Sequence, residues 1–325
     1  MTNWAPLMID GSELERADLL SAVIDALGEA FLALRAGQAQ TAPRTLLQSG
    51  PEPSAQLLVS PATWEQRGVA SLKITTLTPG NPSRGLPLIH GIVALIDLET
   101  GRVVALLDGA ALTAVRTGAV AGLATRLCSP PEAGDLAIIG AGVQARALLR
   151  AMAAVRPIRS VRLHSRTRAG AEMFASWIRE RLGTDVCVAV CDDAQTAVRD
   201  AEIICTATST AGDMPLVKAE WVTSGAHLNV IGGSHEDAVE VAPALLAKAF
   251  LAVEQQAAAL EDAGEIRSAL ADGLIDSSHL HDLAALLDGE AAPAPGQTTL
   301  FRGVGMAIED TAAASALYDA LRAGG

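Results

Sequence analysis

The chain has 325 residues, 50% of them hydrophobic and 19% charged, which excludes a disulfide-stapled miniprotein, a collagen-like repeat and a disordered chain. The length suits one large or two ordinary domains, and with aromatics at 3% the core falls to Ala, Leu, Val and Ile. A net charge of −13 repels phosphate backbones, so nucleic acid is not an expected partner, although a few local cations can still hold a small anion.

Residues 1–10 have neither the basic start nor the apolar run of a secretion signal, which points to a cytoplasmic chain. Ser12 followed by Glu15 reads as a capping box ahead of a helix to residue 34, with Leu19, Leu20, Val23, Ile24, Leu27 and Phe31 at helical spacing. Strand-like runs follow at 57–59, 71–77, 88–97 and 102–107, and residues 96–102 read as a hairpin turn. Thr78-Pro79-Gly80-Asn81-Pro82 bars both helix and strand and forms a loop. This part reads as a meandering sheet with flanking helices.

A helix over 112–127 stops at Pro130-Pro131. The long apolar window 103–125 carries Asp108 and Arg116, and the helix after Val241 carries Lys248, so no membrane span is expected. Strands at 135–139, 160–164, 186–190, 203–207 and 227–231 then alternate with helices at 143–155, 169–182 and 193–198. Almost wholly apolar strands separated by single helices specify a parallel sheet covered on both faces, an α/β fold. Residues 290–297 read as a Pro/Ala linker, and a helix over 305–321 closes the chain. Cys128, Cys187, Cys191 and Cys205 lie scattered in apolar stretches without CxxC spacing, as reduced, buried thiols do. His279 and His281 read as a polar loop without partner ligands, so no metal is expected.

The strand 135–139 runs into Gly140-Ala141-Gly142-Val143-Gln144-Ala145, the G-x-G-x-x-A fingerprint of a dinucleotide site. Gly140 permits the tight turn, Gly142 lets the backbone approach a pyrophosphate, and Ala145 lets the helix pack on its strand. The helix that opens at Val143 and Gln144 aims its N–H groups at the phosphates. After the next strand the chain reads His164-Ser165-Arg166-Thr167, without the acidic residue that usually binds the ribose of NAD. Ser165, Arg166 and Thr167 can surround a 2′-phosphate instead, which favours NADPH with NADH as the alternative; otherwise Arg166 is a solvated loop residue. Thr208 and Ser209 follow a later strand and would line the same crevice, as would Gly232.

With these residues in view, the chain resembles the ornithine cyclodeaminase/mu-crystallin family. The matching segments are Ala42-Pro43-Arg44-Thr45, Ser71-Leu72-Lys73, Pro79-Gly80-Asn81, residues 97–101, Leu107-Asp108-Gly109, residues 112–117, the fingerprint at 140–145 and residues 301–310. The resemblance implies a homodimer. It implies that residues 1–128 and 296–325 form an α+β substrate-binding and dimerisation domain, into which a Rossmann-type doubly wound parallel sheet, residues 129–295, is inserted. It also implies nicotinamide-dependent chemistry on small amino or imino acids.

Lys73 sits in an apolar strand-like run, where an ammonium needs an anionic partner, either a ligand carboxylate or an internal Asp or Glu. Arg116, on a helix among small neighbours, suits a structural salt bridge as well as a ligand. The resemblance makes Arg44, Lys73 and Arg116 the ligands of a substrate carboxylate, which guanidinium groups hold through paired hydrogen bonds. Family cyclodeaminases place an Asp, which pairs with the substrate amino group, where this chain has Ser234; the ketimine reductase branch resembles this chain in having a small residue or Ser there. A hydroxyl does not replace an ion pair, although Glu236 or Asp237 nearby can carry the missing charge.

The resemblance thus implies an oxidoreductase that uses NAD(P)H to reduce a small cyclic ketimine carboxylate, Δ1-pyrroline-2-carboxylate or Δ1-piperideine-2-carboxylate, to the cyclic amino acid. Lys73, or water held by Ser234, is the expected proton donor to the imine nitrogen, and His90 is read as a structural residue. The alternatives are an ornithine or lysine cyclodeaminase with catalytic NAD+, an alanine-type dehydrogenase, and a nucleotide-binding protein without turnover.

Overall fold

β1 (Leu7–Ile9) is followed by α1 (Gly11–Leu14), whose cap is not the expected Ser12–Glu15 pair. The Asp10 carboxylate accepts the Ser12 and Glu13 N–H groups, and Glu13 accepts the Asp10 N–H in return. An ionised carboxylate is the stronger cap, and the Ser12 hydroxyl itself donates to it at 2.6 Å. The chain then passes through a 3-10 turn, so the expected single helix is divided before α2 (Leu20–Arg35). α2 buries Val23, Ile24, Leu27 and Phe31, the stripe that the spacing predicts. The computed structural model describes residues 5–50, 54–183, 185–209, 215–232 and 239–323.

β2 (Ala39–Thr41), β3 (Thr45–Ser49), β4 (Ala55–Trp64), β5 (Val69–Leu77), β6 (Ile89–Asp97) and β7 (Val103–Asp108) lead to α3 (Gly109–Cys128). Among the described residues the sheet order is β1-β7-β6-β5-β4-β2, with β3 also on β4. The β1–β7 pair is parallel and the others antiparallel. The β6–β7 turn forms as expected, with the Asp97 carboxylate accepting the Thr100 N–H and hydroxyl. The closing helix, Ala307–Ala323, packs on β4, β5 and β6 and against α2. Its buried Ala312, Ala313, Ala314 and Ala316 permit that close approach.

In the remainder of the chain, β8 (Asp135–Ile139), α4 (Val143–Val155), β9 (Ser160–His164), α5 (Arg168–Leu182), β10 (Cys187–Val190), α6 (Ala194–Val198), β11 (Ile203–Thr206) and β12 (His227–Val230) follow the expected alternation. They are followed by α7 (Pro243–Leu246), β13 (Phe250–Val253), α8 (Gln256–Asp262), α9 (Gly264–Ala271), β14 (Leu280–Asp282), α10 (Leu283–Leu287) and β15 (Thr299–Arg302), and Ala307–Ala323 is α11. The sheet is wholly parallel, in the order β10-β9-β8-β11-β12-β15-β13-β14. From β8 the chain winds outward to β9 and then returns to β11 on the other side, which leaves a crevice at the carboxyl ends of β8 and β11.

The chain divides into two units, Met1–Arg116 with Met306–Gly325, and Thr117–Gly305. These boundaries lie at 116/117, within α3, and at 305/306, just beyond β15, which is hydrogen-bonded between β12 and β13. Within the second unit, buried Arg156 donates to the Thr125, Arg126 and Ser129 carbonyls and terminates α3. Cys128 and Cys205 are buried, Cys191 is half-buried and Cys187 is exposed at the sheet edge, so burial does not hold for all four thiols. His281 lies in β14 rather than a loop and stacks on Phe250 at 4.3 Å between ring centres. Among the described residues, no helix is long and apolar enough to cross a membrane.

Candidate functional site

The fingerprint turn sits in the second unit at the end of β8. Gly140 has φ +122°, and a Cβ there would strike the Ala207 carbonyl just beyond β11. Its N–H donates to the His164 carbonyl at 2.8 Å, which ties the turn to β9. Gly142 caps α4 without a side-chain hydrogen bond, and nothing lies within 4 Å of the position its Cβ would take. Val143 is exposed, and Ala145 is buried under the helix. Gln144 is half-buried, and its Oε1 is buried with no hydrogen-bond partner among the described residues. Open backbone N–H groups, a bare glycine cradle and an unpartnered amide oxygen fit a phosphate- and hydroxyl-bearing ligand.

At the end of β9, Ser165 is half-buried, and Arg166 and Thr167 are exposed. The Thr167 hydroxyl caps α5 by accepting the Gly170 N–H at 3.3 Å. Arg168 is held by Glu172 and Asp192, whereas Arg166 has no ion pair among the described residues. Past β11, Ser209 is exposed, while Thr208 turns its hydroxyl inward to Glu240. The Gly232 N–H also donates to Glu240, at 2.7 Å. Glu240 belongs to no motif and was not expected from the sequence. Ser234, Glu236 and Asp237 lie outside the described residues.

The cations form a separate group in the first unit. Lys73 on β5 and Arg116 on α3 have side chains only 11% and 12% exposed. Lys73 Nζ lies 3.1 Å from Asp310 Oδ1. Arg116 Nη1 donates to Glu309 Oε2 at 2.9 Å, and its Nε lies 3.6 Å from Asp310 Oδ1. Both acids sit in the first turn of α11, where the helix dipole favours negative charge, and Glu309 also accepts the Met306 N–H at 2.6 Å.

The internal acidic partner weighed for Lys73 and the salt bridge weighed for Arg116 are therefore both present. Two cations balance two anions, a condition for burying any of them. Desolvation pushes the Lys73 ammonium below its ordinary range, Asp310 opposes that fall and Arg116 adds to it. Desolvation likewise pushes the Glu309 carboxyl up, against the pull of Arg116. Both acids fall within the family-like segment 301–310, where nothing local in the sequence assigns either of them a role.

Arg44 is exposed in the link between β2 and β3. Thr45 pairs with Val59, and Ser60 pairs with Lys73, so Arg44 sits at the level of Lys73 across β4. Lys73 and Arg116 are joined through Asp310, an ion-pair group that does not include Arg44 among the described residues. His90 is exposed on β6.

A doubly wound parallel sheet with a glycine turn at its switch point, paired with an α+β unit, defines a two-part protein of Rossmann type. The sequence model of the ornithine cyclodeaminase/mu-crystallin family matches residues 5–325, and the chain belongs to that family. A Δ1-pyrroline-2-carboxylate reductase of Bacillus cereus is 33% identical over 317 residues, 96% of either chain. The ketimine reductase mu-crystallin of Mus musculus is 34% identical over 266 residues, 82% of this chain and 80% of that one. Among solved structures, the Δ1-pyrroline-2-carboxylate reductase of Thermococcus litoralis, in complex with NADH and L-proline, superposes with a TM-score of 0.88 at 32% identity over 98% of both chains.

Proposed function

We propose that this chain is an oxidoreductase that uses NAD(P)H to reduce a small cyclic ketimine carboxylate, Δ1-pyrroline-2-carboxylate or Δ1-piperideine-2-carboxylate, to the cyclic amino acid. The observation that carries the reading is the buried Lys73–Arg116 pair, in a chain similar throughout to a reductase seen with NADH and L-proline.

Arg44, Lys73 and Arg116 hold the substrate carboxylate, which competes with Asp310 and Glu309 for the two buried cations. Lys73 donates the proton that the imine nitrogen gains, and the burial that lowers its pKa makes it a readier acid. Ser234, through a water, is the second candidate for that proton. Gly140, Gly142 and the N–H groups of α4 at Val143, Gln144 and Ala145 hold the pyrophosphate. When bound, the nicotinamide supplies hydride to the imine carbon. Ser165, Arg166 and Thr167 hold the far ribose, where Arg166, exposed and without an ion pair among the described residues, favours the 2′-phosphate of NADPH. Thr208, Ser209 and Gly232 line the near end.

A homodimer accounts for the apolar side chains that the first unit leaves bare. Leu46, Leu47, Leu86 and Ile92 are 48%, 57%, 50% and 46% exposed, and a second copy would remove them from water.

The test is turnover. With Δ1-pyrroline-2-carboxylate and NADPH, absorbance of the reduced nucleotide falls as proline forms in equal amount. Ammonia release from ornithine with catalytic NAD+, without net change in the nucleotide, would overturn the reductase in favour of a cyclodeaminase. Tight nucleotide binding without oxidation by either imine would overturn turnover itself.

A further inference from the structure

We propose that Glu240 is a positioning residue that shapes the nucleotide crevice by clamping the ends of β11 and β12. The inference rests on the reading of that crevice as the nucleotide site. The Glu240 side chain is buried and accepts four hydrogen bonds. One carboxylate oxygen takes the Thr208 N–H at 2.8 Å and the Thr208 hydroxyl at 2.6 Å. The other takes the Thr206 hydroxyl and the Gly232 N–H, each at 2.7 Å. Thr206 ends β11, while Thr208 and Gly232 lie two residues beyond β11 and β12, so one carboxylate ties together the chain leaving two neighbouring strands.

Two contacts connect the clamp to the ligand turn. A Cβ on Gly232 would run into the Glu240 carboxylate, so the clamp itself requires glycine at 232. The Ala207 carbonyl, which leads into the clamped Thr208 N–H, is the atom that a Cβ on Gly140 would strike. The Ala207–Thr208 peptide is thus fixed between Glu240 on one side and the fingerprint turn on the other. The clamp is also anchored from behind. The Glu240 N–H donates to Glu265 at 2.9 Å, and Glu265 accepts from Arg302 at 2.9 Å. Arg302 in turn donates to the Val230 and Gly303 carbonyls at the ends of β12 and β15.

Burial favours the neutral form of Glu240, and the donors of Thr208 and Thr206 pull the other way. Two of the four donors are backbone N–H groups that cannot reverse, one on each oxygen. An amide in place of the carboxylate therefore turns its NH2 toward a backbone N–H in either orientation.

The experiment compares E240Q with the wild-type 325-residue chain. Nucleotide affinity is measured by the fluorescence enhancement of NADPH, and the imine KM at saturating nucleotide. The clamp predicts a nucleotide Kd raised at least tenfold in E240Q, with the imine KM within twofold of wild type. A general structural defect would raise both together and overturn the inference, as would an unchanged Kd. Should E240Q fail to fold, Thr206→Val and Thr206→Ser decide. The serine keeps the donor and the wild-type Kd, the valine raises the Kd several-fold, and equal values overturn the clamp. A wild-type chain that binds no nicotinamide nucleotide overturns the crevice reading itself, whereas wild-type binding with unaltered E240Q affinity overturns the clamp alone.

Discussion

Arg116→Lys separates recognition of the substrate from maintenance of the fold. Alanine at 116 would leave Glu309, 0% exposed, beside an empty space, and removing one partner of a buried pair costs about 3–5 kcal/mol. Lysine keeps a positive charge for Glu309 and so preserves most of that balance. What it loses is the fork. Arg116 places Nη1 2.9 Å from Glu309 while Nε lies 3.6 Å from Asp310, and a single ammonium cannot serve two acids and a ligand carboxylate with that geometry. A charge-assisted hydrogen bond is worth about 1.5–3 kcal/mol, so kcat/KM for Δ1-pyrroline-2-carboxylate should fall by about 10- to 100-fold. NADPH affinity should stay within about twofold, a free-energy change below ~0.5 kcal/mol. Steady-state assays with varied imine, together with NADPH titration of the same preparation, measure both. Unchanged kcat/KM, or nucleotide affinity falling in step with it, would refute the assignment of Arg116 to the substrate carboxylate.

Arg166→Ala should raise the KM for NADPH by about tenfold and leave that for NADH nearly unchanged, since an exposed guanidinium meets only the 2′-phosphate. Equal changes in the two would remove that role. Burial holds His227 down to about 3, whereas an unfolded imidazole titrates near 6.5. Between those values the unfolded chain binds a proton that the native chain refuses, so the contribution is fully present above pH 6.5 and is lost as pH falls toward 3. The loss amounts to about 2 kcal/mol by pH 5, and urea midpoints of the wild type should decline more steeply from pH 6.5 to 5 than those of His227→Gln. Parallel declines would contradict it. Gly118→Ala should lower stability by about 1–3 kcal/mol, because the new Cβ would sit 2.6 Å from the Ala147 carbonyl of α4. An unshifted melting temperature would show that α3 and α4 have room there.

β8 and β11 were legible as short, nearly unbroken apolar runs, and β9 and β12 because their apolar residues alternate with polar ones between turns. β3 was not, because all five of its residues are exposed and no alternation marks a buried face. β13 hid in the Ala/Leu-rich stretch that reads as helix after Val241, and β15 hid behind the linker, its buried Arg302 paired with Glu265 and donating to the Val230 and Gly303 carbonyls. The fingerprint was visible because its chemistry demands glycine at fixed positions. Glu240, Glu309 and Asp310 were not, because a buried carboxylate has no local signature: its donors come from residues distant in sequence, 237 positions away in the case of Lys73 and Asp310.

The central claim is that the buried cations of the first unit hold the substrate carboxylate. A crystal structure with NADPH and pyrrole-2-carboxylate, a planar analogue of the imine, tests it most directly. The account predicts carboxylate oxygens within hydrogen-bond distance of Lys73 Nζ and the Arg116 guanidinium, with Arg44 closing over them. Lys73 and Arg116 still bonded only to Asp310 and Glu309, with the analogue bound elsewhere, would contradict it.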